Sequence, residues 1–150
     1  MTSIQSMAEK FHFNTCSTEP LRTIFTAQSK AYFYCKDAVC EFVFGKGMLP
    51  VNPFKAFDYF LSDRVDRDLI RQANNQLISM CDELWVFGDI ANGVMFEIML
   101  AKSLNKPIRY FTIATRACEI AEAALSDLSF EDEMELTKEQ IDEFLALAAE

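Results

Sequence analysis

Apolar positions along the chain fall into short blocks whose period keeps changing, and each change marks a switch between strand and helix. The run "LRTIFTA" (21–27), with its β-branched and aromatic residues, predicts a strand. In "QSKAYFYCKDAVCEFVFGKG" the period lengthens, and Ala31, Tyr34, Cys35, Ala38, Phe42 and Val43 share one face of a helix that stops near Gly45 and Gly47. "MLPVNP" reads as a second short strand closed by a proline-bounded turn. "FKAFDYFLS" reads as a short helix or an excursion over the sheet edge, whose four aromatics cover a pocket or fill core. "DRVDRDLIRQANNQLISM" predicts a helix with Val65, Leu69, Ala73, Leu77 and Met80 as its apolar stripe. A strand "DELWVFG", a loop "DIANG", a helix "VMFEIMLAKSLN" and a strand "KPIRYFTI" follow.

The two ends differ from this alternation. Residues 1–20 show no clear period and close at Pro20. From Thr115 the pattern predicts helix through "RACEIAEAALSDL", then a solvated acidic turn "SFEDEME", then a last helix capped by Thr137 with Glu139 or Gln140 nearby. The expected organisation is an N-terminal extension (1–20), an α/β domain (21–114) and a C-terminal helical extension (115–150) that serves packing or assembly. Right-handed crossovers place helices on both faces of such a sheet, so the predicted fold is α/β: doubly wound, mainly parallel, four- or five-stranded and flavodoxin/Rossmann-like. Loops after the strands then open onto the ligand crevice.

Composition narrows the partners. With 150 residues, 51% of them hydrophobic and 14 of them Phe, the chain has the core material of one domain. Its 14 Lys and Arg against 23 Asp and Glu leave a net charge of -9. No basic block interrupts that balance, which argues against a nucleic-acid polymer but not against a small ligand. Cys16, Cys35, Cys40, Cys81 and Cys118 lack close metal-ligand spacing and lie mostly among apolar residues, as reduced buried thiols do. The N-terminus lacks the basic start and apolar run of a secretory signal, and no apolar stretch reaches the roughly 18 residues of a membrane span. A cytoplasmic protein without membrane contact is expected.

The most informative residue is Glu97, a carboxylate in the apolar stretch "GVMFEIML". Ionised, it needs a partner, a hydrogen bond or a solvated cleft. Its place in the first turns of a helix, beside backbone donors and the positive helix end, favours the charged form and a nucleophilic or ligand-binding role. A cap or ion pair near the helix terminus is the other reading. Asp89 in the preceding loop either holds a hydroxyl, presents a proton or simply makes the turn, whereas Asp82 at the strand start is read as structural. Gly88 and Gly93 allow a sugar or phosphate to approach the backbone, but no GxGxxG fingerprint for a nicotinamide or flavin dinucleotide is present. Gln28 and Ser29 follow the first strand and Asn52 the second, each a possible ligand contact, with Phe54 as a wall. Arg64, Asp68 and Arg71 make local helix pairs, while Asn74 or Asn75 turns toward the crevice. His12 receives no role, and Trp85 is read as sheet core.

"CDELWVFGDIANGVMFEIMLAKSLNKPIRYF" resembles the nucleoside 2-deoxyribosyltransferase-like family, in particular its small bacterial and phage branch. The similarity runs from about Thr23 to Ile113 and is strongest over "NGVMFEIMLAKSLNKPI". The resemblance implies that Glu97 is the nucleophile, attacking the anomeric carbon as a nucleobase leaves and forming a covalent glycosyl-enzyme that a second base or water resolves. It implies no cofactor and no metal. It makes Asp89 a second catalytic acid and Phe25, Gln28, Ser29, Asn52, Phe54, Asn75, Gly88, Asn92 and Gly93 the expected substrate contacts. Phe25 stands where characterised transferases carry a nucleophile-positioning Tyr, and amides stand near Asn75 where they carry an Asp. A homodimer or higher homo-oligomer is implied. The expected activity is cleavage or transfer of a nucleoside or nucleotide N-glycosidic bond. The alternatives are a noncatalytic nucleotide-binding or regulatory protein and a structural interaction module.

Overall fold

The computed structural model describes residues 2–11, 19–57, 61, 63–131 and 136–150. Strands β1 (Thr23–Gln28), β2 (Leu49–Val51), β3 (Glu83–Phe87), β4 (Ile108–Phe111) and β5 (Glu122–Ala123) form one sheet in the order β2-β1-β3-β4-β5. The first four run parallel and β5 is antiparallel to β4. The fold is therefore mixed α/β with a mostly parallel five-stranded sheet, ending in the helix α6 (Lys138–Ala149).

The centre of the sheet is apolar on both faces because helices cover both. Phe25, Ala27, Leu84 and Val86 point to one side and meet α4 (Arg67–Met80), α5 (Asn92–Ser103) and α6 through Ile78, Val94, Met95, Ile98, Ala101 and Phe144. Ile24, Trp85, Phe87 and Phe111 point to the other and meet α2 (Lys36–Gly45) through Ala38, Val39 and Val43, with Ile120 alongside. Phe42 of α2 sets its ring edge-on to those of Trp85, Phe87 and Phe111, with centroids 6.4, 6.0 and 5.1 Å away. Each such fully buried large side chain contributes about 1.5–3 kcal/mol relative to exposure.

Several sequence expectations change. Residues 30–35 form a 3-10 turn rather than the start of the helix; Ser29 opens it by accepting from the Ala31 N–H, and Tyr34 is exposed. Helix α4 begins only at Arg67, capped by Asp66, and its inward face is Ile70, Ala73, Asn74, Leu77 and Ile78. Leu69 and Met80, assigned to the stripe, are 57% and 67% exposed. Cap and core contact set the rotation here, and the face they choose carries a polar residue at Asn74. Residues 3–10, without a clear period, nevertheless form α1 (Ser3–Lys10), closed by a reciprocal Thr2–Gln5 cap and burying nothing.

The largest correction concerns the segment after Thr115, which is not a helix. It makes a 3-10 turn at Ala117–Glu119, then β5, then a second turn at Leu125–Asp127. Ile120 is buried against the α2 side, Thr112 and Ala121 exchange hydrogen bonds, and Arg109 forks onto Glu122 at 2.7 and 3.0 Å. The Arg109 guanidinium also lies 4.8 Å above the Trp85 ring. Pairing at the open β4 edge thus overrides the helix propensity of an alanine-rich run. Thr137 does cap α6, with Gln140 as the reciprocal partner. Cys35, Cys40 and Cys81 are buried free thiols, but Cys118 is exposed. After α3 (Pro53–Phe57), Tyr59 and Phe60 lie outside the described residues, as do His12 and Cys16. Among the described residues no helix is long and apolar enough to cross a membrane.

Gly88, just after β3, has φ +78°, and a Cβ there would stand 2.4 Å from Ile113 Cγ2. The absence of a side chain here admits that of Ile113. Gly88→Ala is expected to cost about 2–4 kcal/mol in chemical denaturation, from left-handed backbone strain plus overpacking. The double change with Ile113→Ala should cost less than the sum of the two single changes.

Candidate functional site

The sheet order reverses between β1 and β3. The chain leaves β1 through α2 toward β2 on one side and leaves β3 through α5 toward β4 on the other. The two connections diverge from neighbouring strand ends and open a crevice there, the usual ligand position in open α/β sheets.

A buried polar network lines the root of this crevice. Asn52 donates from Nδ2 to Thr26 Oγ1 and to Gln28 Oε1, both at 2.9 Å, and its Oδ1 accepts from the Phe54 N–H at 3.0 Å. Gln28 in turn donates to the Tyr32 carbonyl at 2.8 Å. The Gln28 and Asn52 amides are thus engaged in holding the edge loops together, so the two residues shape the crevice rather than reach into it. Phe54 is half-buried with its ring edge-on to Phe33. Phe25, expected as a ligand contact, has no exposed surface and belongs to the core beneath α5.

The rim carries carboxylates. Tyr32 Oη donates to Asp89 Oδ2 at 2.9 Å, and the neighbouring negative charge holds the Tyr32 proton more tightly than usual. Ser29, itself buried, donates to Glu131 Oε1. Glu131 arrives from the C-terminal segment: Phe130 pairs in parallel with Ile90, the Ile90 N–H donates to the Ser129 carbonyl at 2.8 Å, and the Glu131 N–H donates to the Ile90 carbonyl at 3.0 Å. Tyr32 and Glu131 had no signal in the sequence. The "SFEDEME" stretch reads as a solvated turn, and only the bridge to Ile90 brings its first acid to the crevice.

Glu97 lies in the second turn of α5, and helical side chains lean toward the helix N-terminus, here toward the crevice edge. Its Oε2 accepts from Asn74 Nδ2 of α4 at 2.8 Å. No ion pair reaches it among the described residues. As a residue it is only half-buried, but the carboxyl group is enclosed by protein atoms, and that enclosure governs its titration. Loss of hydration pushes its pKa up to about 7, with the Asn74 bond opposing. The expectation that backbone donors and the helix dipole favour the charged form is overturned: the dipole fades beyond the first turn, and desolvation dominates. Asn74 Oδ1 is buried and unpartnered among the described residues. Asn75, the neighbour chosen from sequence, is exposed on α4.

Asn92 and Gly93 are exposed in the first turn of α5, whose preceding Ala91 supplies no side-chain cap. Asp82 sits at the opposite end of the strands, accepting from the Thr23 N–H and hydroxyl at 2.8 and 3.1 Å, which holds its pKa below the usual range. A cavity of about 230 Å³ lies elsewhere, between α5 and α6, and shares no lining residue with the crevice.

An open α/β sheet with carboxylates at its switch point is the class of site defined here. The chain belongs to the DUF7768 family, a domain of unknown function, whose sequence model matches residues 24–111, more than half of the chain. That span runs from β1 to β4 and stops short of β5, Glu131 and α6. No curated protein matches the chain.

The raised Glu97 pKa has a consequence for stability. Folding favours the protonated acid, so this contribution is full below about pH 4.5 and is lost as pH rises through about 7. Glu97→Gln keeps an acceptor for Asn74 without the charge. In denaturant titrations it should therefore be more stable than the parent by about 1–3 kcal/mol at pH 8, with the difference closing toward zero near pH 4.5.

Proposed function

We propose that this chain cleaves or transfers the N-glycosidic bond of a nucleoside or nucleotide, with Glu97 as the nucleophile. The observation that carries the reading is the Glu97–Asn74 pair: a desolvated carboxylate held by one amide, with no cation among the described residues and an unmet acceptor beside it. A weakly solvated carboxylate is costly at rest and gains most when positive charge develops at an adjacent anomeric carbon. The carboxylate attacks that carbon, and the nucleobase departs with the bonding pair and takes a proton from solvent. A second base or water then releases the sugar. The finer fold reading, a doubly wound flavodoxin/Rossmann-like sheet, agrees with strand order β2-β1-β3-β4-β5 and helices on both faces. A homodimer or larger assembly in the cytoplasm belongs to the same reading.

Two observations favour a second reading, a nucleotide-binding protein without turnover. Phe25 is sealed in the core where transferases of the resembling family carry a Tyr, and the one hydrogen bond to Glu97 among the described residues comes from an amide.

Released base, measured across a panel of nucleosides and their monophosphates, separates the two. A Glu97 nucleophile must be ionised, so turnover should rise as pH increases through about 7 and level off above it. A profile that falls over this range would instead make Glu97 an acid. Glu97→Gln should lower base release by at least about a hundredfold while leaving the fold intact. Acid quench and intact mass should show a glycosyl adduct on the parent chain that is absent from the variant.

A further inference from the structure

We propose that α1 of one copy of this chain seats in the cavity between α5 and α6 of a second copy, so that two chains exchange their α1 helices about a two-fold axis. The proposal goes beyond the glycosidic reading and does not depend on it.

The sequence of α1 gives it a face that needs covering. Ile4, Met7 and Ala8 share one side of the helix, and Gln5, Ser6, Glu9 and Lys10 take the others. Within its own chain α1 buries no residue, and Ile4 and Met7 are 79% and 55% exposed. A helix this short is marginal in water without tertiary contact, even with the reciprocal Thr2–Gln5 cap. Its apolar face therefore requires a partner surface.

The cavity supplies one. Ile98 and Met99 of α5 and Phe144 and Leu147 of α6 wall it, and among the described residues none of α1 lines it. Met99 and Leu147 are exposed on its flanks. Its volume of about 230 Å³ exceeds the roughly 150 Å³ that takes up a benzene ring, which leaves room for the ends of both Ile4 and Met7. The stretches from Ile4 to Lys10 and from Phe144 to Glu150 also match in length, at about 9 Å each. One chain alone leaves both the helix face and the cavity flanks exposed, whereas a second copy covers both at once.

Charge and dipole set the direction of the seat. Lys102 Nζ donates to the Ala148 carbonyl at 3.3 Å, so α5 and α6 end on the same side. Running antiparallel to them, α1 brings its positive N-terminal end to their negative C-terminal ends. Lys10 then falls on the α6 flank, where Glu143 lies one turn before Leu147, and Gln5 falls on the α5 flank beside Lys102. Neither Lys10 nor Glu143 has an ion-pair partner among the described residues. The opposing influence is the net charge of -9 on each chain, which physiological salt screens beyond about 8 Å. Residues 12–22, between α1 and β1, reach up to about 40 Å when extended, enough to cross to a neighbour. Reciprocal exchange then fills two cavities in one association.

The test is sedimentation equilibrium of the full chain from about 1 to about 200 µM. The parent should pass from the mass of one chain toward twice that mass. Ile4→Glu/Met7→Glu removes the apolar face of α1, and Met99→Glu/Leu147→Glu charges the cavity flanks. All four positions are exposed, so thermal melts should show both variants folded. Each variant alone should dimerise at least about tenfold more weakly than the parent. Mixed, with one of them isotope-labelled, they should form a heterodimer in native mass spectrometry, because the first brings an intact cavity and the second an intact α1. Lys10→Glu should weaken the parent dimer, and Glu143→Lys in the same chain should restore it. A parent that keeps the mass of one chain throughout overturns the proposal, including the case in which α1 seats on its own chain. A dimer that persists in either folded variant, or a mixture without heterodimer, overturns it while the glycosidic reading stands. A charge reversal without rescue overturns the antiparallel seat.

Discussion

The side-by-side burial of β1 and β3 is the constraint on which the rest of the molecule depends. Phe25 lies opposite Leu84 and Thr26 opposite Trp85, and residues 24–28 and 84–87 are buried throughout. Strands buried on both faces require helices above and below, and right-handed crossovers supply them only if the chain turns opposite ways from the two strands. The crevice follows from that divergence. Ser29 and Asp89 stand at the site because they lie just beyond the ends of β1 and β3.

The site departs from the economy of the surrounding core. The α4 and α5 faces that meet over the sheet are apolar except at Asn74 and Glu97, where one amide partly offsets the cost of a buried acid. An apolar pair of similar size would pack there without a desolvation penalty. The raised pKa of Glu97 makes its ionised form a cost to folding at neutral pH, as is common where a reactive group is held ready.

The α/β alternation was readable because strand blocks such as "LWVF" and the helix after "DIANG" differ clearly in period. Glu97 stood out because a carboxylate among apolar neighbours breaks its local pattern. Other features required three dimensions. The α4 stripe differs from the sequence pattern because Leu69 and Ile70 are both apolar, and only the packing of Ile78 and Cys81 into the core selects the face on which Asn74 lies. The stretch after Thr115 has helix-forming composition, yet the vacant β4 edge and the Arg109–Glu122 fork draw it into the sheet. Gln28 and Asn52 look like ligand contacts in a list of polar loop residues, but their amides are already bonded to the protein. Glu131 was hidden because nothing local distinguishes it from the acids that follow it.

The bond from Ser29 to Glu131 joins residues 102 positions apart in the chain. During synthesis, β1 through β4 and the helices between them emerge before this acid does, so the core can assemble while the rim is still incomplete. Local and medium-range contacts form early, and long loop closures come late and carry more of the entropic cost. Completion of the crevice rim therefore depends on the C-terminal segment as well as on the sheet.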